Sequence, residues 1–480
     1  MPVVPYCPFR CQDLQAVYHF IANGLDQVKR QHQPQVASIS LGIADVDPLL
    51  VLAHLTHRHE HHLYLENVTA ATAVAAVGSA LSYQSAGTER FRDAQRFIHQ
   101  WRSQTCSYAD RVPRIPPLGP NPWLRFYCSF TFFSPNSGIG LDFPGASVVL
   151  PRWQVLRQRG DCVLTTNLLL TPNTVLPPLL EELEARLSAL EHLSQTRLCV
   201  PRPRPELDPL PPASLAGEQF KASVATALRH MACHPTQKIV LAHVFDLVRE
   251  TPFQTFPALM QLRQRHPDCY VFALHNGQGK TFLGASPERL LSLCQGRLMT
   301  DALAGSAPRG ATTQQDQRIA RRLLHSRKER AEHQLVVDFL THQLAGLGLR
   351  PHYPPTPALF RLSNIQHLHT PIQALVQGCS EPLQVVEALH PTPAVAGVPT
   401  SAACEQIHAF EQFDRGLYAA PLGWVGANGD SEFIVGIRSA LIADNWARLY
   451  AGAGIVAGSD PEREWAEINL KFRALSESLV

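Results

Sequence analysis

The 480-residue chain lacks long hydrophobic runs, runs of Lys/Arg and CxxC cysteine pairs. No stretch approaches the ~20 apolar residues of a membrane helix, and the start MPVVPYCPFR lacks a basic segment followed by an apolar one, so neither membrane insertion nor export is expected. Eleven scattered cysteines without a CxxC pair argue against a disulfide framework and favour the cytoplasm. A net charge of +2 without a Lys/Arg run predicts no nucleic-acid or membrane surface, which leaves a small anion as the expected partner.

Nucleotide-binding loops of the GxGxxG or GxxxxGK[ST] type are also absent, and strand and helix patterns do not alternate regularly. An α+β fold is therefore favoured over a doubly wound sheet. A proline-rich stretch, Pro201 to Pro212, is typical of a linker. We predict that residues 1–212 form an amino-terminal part ending in this linker, and that residues 213–480 carry the chemistry.

Local patterns predict several elements. Helices are expected at 90–102 and 215–231, and the run KIVLAHVFDLV beginning at Lys238 is typical of a buried strand. Further strands are predicted at 433–442 and 446–456. Asp460 followed by Pro461 predicts the start of the last helix, because proline suits the first helical turn.

Two glutamate pairs stand out in the second part, Glu329 with Glu332 and Glu464 with Glu467. The i,i+3 spacing places both members of a pair on one helical face, so two such helices could present four carboxylates to one volume. Oxygen ligands without cysteine or histidine favour Mg²⁺. Taken alone, however, such pairs also fit solvated helix faces.

A histidine-rich cluster is an alternative metal site, comprising His57, His59, Glu60, His61 and His62. Its spacing could serve a transition metal. An exposed loop is the more ordinary interpretation, because no acid–base partner lies nearby in the sequence. Cys7 and Cys11 are interpreted in the same way, as ordinary thiols.

From about Glu218 onward, nine ordered motifs resemble the chorismate-utilising enzyme family: QKIVLAHVFDL, GASPERLLSL, TDALAGSAPRG, KERAEHQLVVD, IQHLHT, LHPTPAVAGVP, YAAPLGWVG, FIVGIRSALI and YAGAGIVAGSDPEREWAEINLKF. The resemblance implies an α+β fold in which large antiparallel sheets pack as a twisted sandwich surrounded by helices. A deep cleft would hold chorismate and Mg²⁺, and the amino-terminal part would complete the sandwich.

Two positions separate the chemistries of this family. Members that add ammonia carry glutamine where this chain has Lys238, and members that attack with an enzyme lysine place it where this chain has Ala304. The resemblance therefore implies water as the nucleophile. Lys238 would activate the water for attack at C2, and Glu288 would protonate the departing C4 hydroxyl.

The resemblance also implies the binding residues. Glu332 and Glu467 would ligate Mg²⁺, with Glu329 and Glu464 close by. The implied substrate-binding residues are Gly305, Ser306, His367, Tyr418, Arg438, Gly452, Gly454 and Lys471. For His367, a purely structural hydrogen bond is equally open.

The implied activity is the Mg²⁺-dependent, reversible isomerisation of chorismate to isochorismate. Menaquinone or phylloquinone synthesis is favoured as its route. Three alternatives remain: a salicylate synthase that also eliminates pyruvate, an anthranilate-type synthase with a glutaminase partner, and a binding protein on an inactivated scaffold. Lys238 argues against the ammonia-dependent reaction, so no glutaminase subunit is expected, and a monomer is the default assembly.

Overall fold

A computed structural model describes residues 11–56, 59–110, 112, 121–134, 142–196, 215–362, 365–376 and 381–479. The helices in these ranges are α1 (Cys11–Gln31), α2 (Pro48–Leu55), α3 (Arg90–Ser103), α4 (Leu176–Ser194), α5 (Leu215–Cys233), α6 (Thr255–Arg265), α7 (Thr313–His325), α8 (Arg327–Gly346), α9 (Pro382–Leu389), α10 (Thr400–Phe410) and α11 (Pro461–Ser476). No helix in these ranges is long and apolar enough to cross a membrane.

The strands of the first part are β1 (Gln35–Ile43), β2 (His61–Asn67), β3 (Thr72–Val77), β4 (Leu81–Ser85), β5 (Thr105–Asp110), β6 (Arg125–Phe130), β7 (Ala146–Leu150), β8 (Trp153–Gln158) and β9 (Asp161–Leu170). Those of the second part are β10 (Lys238–Val248), β11 (Tyr270–Asn276), β12 (Lys280–Ser286), β13 (Arg289–Cys294), β14 (Arg297–Pro308), β15 (Ala358–Arg361), β16 (Ile365–Leu375), β17 (Gly397–Val398), β18 (Pro421–Gly426), β19 (Ser431–Val435), β20 (Ser439–Ala443) and β21 (Trp446–Val456).

These strands form two large sheets. One has the order β17-β10-β21-β20-β12-β11-β2-β3-β8-β9-β1-β5, and the other has the order β15-β16-β14-β13-β19-β18-β6-β7-β4. Pairing is antiparallel except between β1 and β5. Both parts of the chain contribute strands to both sheets. The predicted boundary at residue 212 and its proline-rich linker lie outside the described residues.

The sheets pack face to face over one continuous apolar core. Polar side chains also join them, since the Tyr127 hydroxyl of β6 donates to Gln154 of β8 at 2.7 Å, and Tyr270 of β11 donates to Glu432 of β19 at 2.8 Å. Buried polar groups need such partners, because an unpaired one costs about 1–3 kcal/mol. The predicted α+β sandwich is confirmed.

In the second part of the chain, two short links carry the backbone from one sheet to the other. Pro287 and Glu288 join β12 to β13, and residues 436–438 join β19 to β20. The prediction of one strand over 433–442 was wrong, because the apolar run is divided between two sheets. Arg438 adopts a positive φ of 50° in the second link. Such a conformation is uncommon outside glycine, and it fixes the direction in which this arginine leaves the backbone.

Two capped helices lie over the same region. Ser326 accepts a hydrogen bond from the Glu329 backbone N–H at 3.3 Å and begins α8, which packs on β14. Asp460 accepts from the Glu462 N–H at 2.9 Å and begins α11, with Pro461 in its first turn as predicted. Side-chain caps of this kind satisfy backbone donors that the helix leaves unpaired. α11 packs on β21, so both glutamate pairs are fixed near the ends of the sheet strands.

Candidate active site

A cavity opens between the sheets beside the two links, enclosing about 800 Å³ of space that is partly open to solvent. Twelve of the fourteen predicted site residues line it: Lys238, Glu288, Gly305, Ser306, Glu332, His367, Tyr418, Arg438, Gly452, Gly454, Glu467 and Lys471. Glu329 lines the adjoining space, and Glu464 is buried and lines neither space, although its carboxyl group interacts electrostatically with those of Glu467 and Glu332. The sheet strands, the links and the two helices therefore bring the predicted residues together.

Lys238 begins β10 with its side chain only 1% exposed. Its Nζ lies 2.8 Å from Oε1 of Glu332 on α8, and this is an ion pair inside the cavity. Gly454 of β21 lies opposite Val240 and leaves the space that the pair needs. A Cβ atom at this glycine would lie 2.9 Å from the Glu332 carboxylate oxygen and 3.1 Å from Lys238 Cε, so any side chain there would displace one of them.

Glu288 lies in the link after β12 and is 4% exposed. Burial raises its pKa to about 7, against the opposing effects of the Lys238 charge and of the Thr392 hydroxyl. The Thr392 contact is long, at 3.5 Å to Oε1. A carboxyl group with a pKa near neutrality can both give and take a proton in working conditions, as a general acid requires.

Arg438, His367 and Ser306 form a chain of hydrogen bonds along one wall. Arg438 Nη2 lies 3.2 Å from His367 Nε2, and His367 Nδ1 lies 2.9 Å from Ser306 Oγ. Because a guanidinium can only donate, Nε2 must accept and Nδ1–H must donate to the serine. Burial, followed by the charges of Arg438 and Lys471, holds the His367 pKa well below its ordinary value. The imidazole is therefore neutral, and the Ser306 hydroxyl is left to donate elsewhere.

A bulge in β14 places Gly305 and Ser306 beside α8. Gly305 has φ of +75°, and the Ser306 N–H donates to Glu329 Oε2 at 3.2 Å. A left-handed backbone of this kind suits glycine because it has no Cβ. The bulge thus ties the substrate wall to one of the predicted metal-binding glutamates.

Tyr418 and Gly452 form the opposite wall. The Tyr418 ring stacks on Tyr450 with centroids 5.1 Å apart, and burial raises its pKa, so the hydroxyl stays protonated as a donor. A Cβ atom at Gly452 would lie 2.8 Å from that hydroxyl. Lys471 Nζ donates to the Gly452 carbonyl at 2.6 Å and to Glu467 at 2.8 Å. The positions of Tyr418, Gly452 and Lys471 therefore depend on one another.

The four glutamates lie close enough together for the charges of two of them to raise the pKa of the other two. Burial is the main cause that raises the pKa of Glu464, to about 7, and that raises the pKa of Glu329. Glu332 and Glu467 add to both shifts by repulsion. In the described part of the chain, no three metal-binding side chains are close enough to form a complete cage. An all-oxygen set with few protein ligands suits Mg²⁺, which keeps several waters and is usually held through one or two carboxylates.

Two supporting features were missed in the sequence. Thr392, inside the quoted motif LHPTPAVAGVP, contacts Glu288. Arg415 is fully buried with Glu411, and it donates to the backbone carbonyls of Val395 and Val240, which line the cavity. The i,i+4 spacing of Glu411 and Arg415 was the signal in the sequence for this ion pair. It stabilises a wall and does not face the cavity itself.

The described members of the histidine-rich cluster lie elsewhere. His62 stacks on His275 with ring centroids 4.5 Å apart, and burial lowers its pKa to about 4. His57 and Cys7 lie outside the described residues, and Cys11 is the first residue of α1.

A buried acid, a buried lysine and carboxylate-binding groups in one cleft define an acid–base enzyme for a small anion. The chain belongs to the family whose model is described as "Chorismate binding enzyme", which matches residues 23–480. It is 35% identical over 480 residues to a "Salicylate biosynthesis isochorismate synthase" of Pseudomonas aeruginosa, covering 98% of this chain and 95% of that protein.

Two further comparisons agree with this assignment. The chain is 32% identical over 348 residues to "Isochorismate synthase MenF" of Bacillus subtilis, covering 72% of this chain and 69% of that protein. Among solved structures, it resembles MenF, the menaquinone-specific isochorismate synthase of Escherichia coli, with a TM-score of 0.74 and 26% identity, covering 96% of this chain and all of that one. The predicted family is confirmed.

Proposed function

We propose that this protein is an isochorismate synthase, an isomerase that converts chorismate reversibly into isochorismate. The observation that carries the proposal is that buried Lys238 and buried Glu288 line the same cavity, together with Arg438 and members of the glutamate cluster. The names of the relatives support the same reaction. Lys238 also matches the use of water as the nucleophile.

In the proposed reaction, Lys238 removes a proton from water, and the oxygen forms a bond to C2 of chorismate. The ring double bonds shift, and the C4–O bond breaks. Glu288 gives its proton to the departing hydroxyl. One water enters and one leaves, so substrate and product are isomers. Proton transfer by positioned side chains of this kind contributes about 10²- to 10⁴-fold to a rate.

Arg438, Ser306 and Tyr418 bind and orient the substrate in this proposal. The guanidinium fork suits a carboxylate. The Ser306 hydroxyl, which accepts from His367, can donate its own hydrogen to the substrate. The backbone at Gly452 lies next to Tyr418 and Lys471, so it offers close approach without a side chain.

Glu332 and Glu467 would hold Mg²⁺, assisted by Glu329 and Glu464. When bound, the ion supplies positive charge that offsets the carboxylates of protein and substrate. Lys471 already offsets part of the charge on Glu467. Because Glu332 also pairs with Lys238, it links the metal site to the base.

We propose a cytoplasmic monomer without a glutaminase subunit. The sequence favours menaquinone or phylloquinone synthesis as the route. Similarity over nearly the whole chain to an enzyme named for salicylate biosynthesis supports an alternative in which a separate enzyme turns the isochorismate into salicylate. The isomerisation itself is the same in both routes.

Purified protein incubated with chorismate and Mg²⁺, without ammonia, is expected to form isochorismate. EDTA should abolish the conversion. The products are identified by chromatography. Salicylate with pyruvate would instead assign a bifunctional salicylate synthase, and dependence on ammonia would assign an anthranilate-type reaction. Bound chorismate without turnover would refute the proposed reaction.

Glu467→Gln is expected to raise the Mg²⁺ concentration needed for half-maximal activity by at least about tenfold, because it removes a charged ligand. A tenfold weaker affinity corresponds to about 1.4 kcal/mol of binding free energy. The measurement is initial rate against Mg²⁺ concentration. Glu462→Gln is the matched control, because Glu462 lies in the first turn of the same helix, α11, and pairs with Lys221.

Glu332→Ala should change the Mg²⁺ response in the same direction, although it also removes the partner of Lys238. An unchanged Mg²⁺ response in either variant would remove that residue from the ligand set. A change of the same size in Glu462→Gln would show that helix charge, and not ligation, is responsible.

A further inference from the structure

A second, wider space, called the vestibule below, adjoins the cavity. It encloses about 1830 Å³, partly open, and shares Ser306, Arg438, Glu467 and Lys471 with the cavity. The vestibule therefore adjoins the active site across these four residues. α7, α8 and α11 contribute most of its outer lining.

The vestibule carries more positive than negative charge. Its cations are Arg322, Lys328, Arg438, Arg463 and Lys471, and its carboxylates are Glu329 and Glu467. His266 also lines it, but burial lowers its pKa to about 4, so the ring is neutral. The surplus contrasts with the near-neutral chain as a whole, whose net charge is only +2.

Three of these cations lie outside the cavity itself: Arg322 of α7, Lys328 of α8 and Arg463 of α11. All three are exposed. The part of the chain that the structure describes contains no ion pair for any of them, although the Lys328 charge lowers the pKa of Glu329 and Glu464 against the raising effect of burial. Lys328 and Arg463 each directly precede one of these glutamates. The cations thus surround the predicted metal-binding cluster on its outer side.

We propose that Arg322, Lys328 and Arg463 form an anion-capture subsite at the vestibule, which binds the carboxylates of the incoming substrate before they reach Arg438 and the metal site. The inference rests on the proposed function, because the captured ligand is the dianion chorismate. Clefts lined by charge of one sign raise local ligand concentration and association rates by 10- to 10³-fold. Exposed cations act this way without being buried, and their effect is screened by salt.

The test is the triple variant Arg322→Gln/Lys328→Gln/Arg463→Gln. We expect kcat/KM for chorismate to fall by about tenfold at low ionic strength, with the loss in KM. The difference from the wild type should shrink as NaCl is raised toward 0.5 M. Binding is measured in parallel by calorimetry in a Lys238→Ala background with Mg²⁺, where the dissociation constant should rise by a similar factor.

The control removes the same charge elsewhere, in Lys29→Gln/Arg30→Gln/Arg350→Gln. These three residues are exposed and line neither space. Arg350 follows the far end of α8, roughly 30 Å from Lys328 by helix length. The control should keep wild-type constants.

If kcat/KM fell equally in the control, the net charge of the protein would explain the effect, and the subsite would be overturned. No loss in the triple variant, or a loss confined to kcat, would overturn it too. A wild type that binds chorismate but converts none would refute the proposed reaction, while the calorimetric comparison would still decide the capture proposal. Absence of binding by the wild type would refute both.

Discussion

Lys238→Ala is expected to lower kcat for isochorismate formation by about 10²- to 10⁴-fold, the range associated with a positioned general base. The lysine is 1% exposed at the start of β10 and lines the cavity, and alanine has no amine to take a proton from water. Chorismate binding should persist, because Arg438, His367 and Ser306 lie on the other sheet or at its link. The measurement is a saturation curve for turnover together with calorimetric binding of chorismate.

The alanine variant also leaves Glu332 without its partner, and breaking a buried ion pair in this way destabilises proteins by about 3–5 kcal/mol. A second variant, Lys238→Gln, keeps a donor for that carboxylate but cannot accept a proton from water. Both variants should be inactive, while the glutamine form should unfold closer to the wild type. If Lys238→Ala lost activity while Lys238→Gln kept it, the role of Lys238 would be structural.

Lys280→Ala is the matched control. Lys280 also begins a strand, β12, and also pairs with a carboxylate, that of Asp142, but it lies outside the cavity. It should keep wild-type turnover. Substantial turnover in both Lys238 variants would remove this lysine from the role of base.

Glu288→Gln is expected to lower kcat by a similar factor, since the amide keeps the size of the side chain but has no proton to give to the leaving hydroxyl. The Thr392 contact at 3.5 Å should tolerate the change. Asp301→Asn is a suitable control, because Asp301 acts on Glu288 only through its charge, which raises the Glu288 pKa. That variant should remain active and shift the pH profile to lower pH. An active Glu288→Gln would show that another group protonates the leaving hydroxyl.

The pH dependence follows from counting protons on the pair. Lys238 forms an ion pair with Glu332, and Glu288 beside this pair has a pKa of about 7. The productive form, neutral lysine with protonated glutamate, holds the same number of protons as ammonium with carboxylate. Below about pH 7 the pair gains one more proton, so kcat/KM should fall tenfold per pH unit.

Glu464 also has a pKa near 7, so metal binding could produce a similar limb. The two causes separate when the profile is repeated at several Mg²⁺ concentrations. A limb set by Glu288 stays fixed under saturating Mg²⁺, whereas a limb set by ligand protonation moves to lower pH. Activity that rises on acidification would contradict the assignment of both groups.

Glu288 also makes stability depend on pH. Its pKa rises from 4.5 to about 7 on folding, so the folded state binds more protons and the free energy of unfolding falls as pH rises from 4.5 through 7. The cost at pH 8 is on the order of 3 kcal/mol, at 1.36 kcal/mol per unit. Glu288→Gln should therefore be more stable than the wild type at pH 8 and equal to it near pH 4, by denaturant unfolding.

The sequence predicted the fold class and the residues that meet at the cavity because its motifs are long and ordered. Lys238 at a strand start and Glu329 with Glu332 on one helical face followed from periodicity alone. Bringing these elements together did not, since contact between strands far apart in sequence depends on tertiary pairing. The order β12-β20-β21-β10 is an example.

One prediction failed for a clear physical reason, and another was incomplete. The apolar run 433–442 has a continuous strand pattern, but burial on both sheets gives the same pattern as burial on one. Gly452 and Gly454 were interpreted as backbone binding positions, and the structure adds a second reason for glycine, the space needed by Tyr418 and by the Lys238–Glu332 pair. Such close approaches depend on three-dimensional neighbours that no local pattern contains.

The links at 287–288 and 436–438 make the geometry of the active site depend on both sheets. Glu288 and Arg438 are held at the joints between sheets, and Lys238 is held at a strand end, so the distances between them depend on how the two sheets pack. Separating the sheets by even an ångström would move proton donor and carboxylate anchor apart, and misplacements of that size can cost 10²-fold in rate. Catalytic activity should therefore fall as soon as the packing between the two sheets loosens, before the chain unfolds.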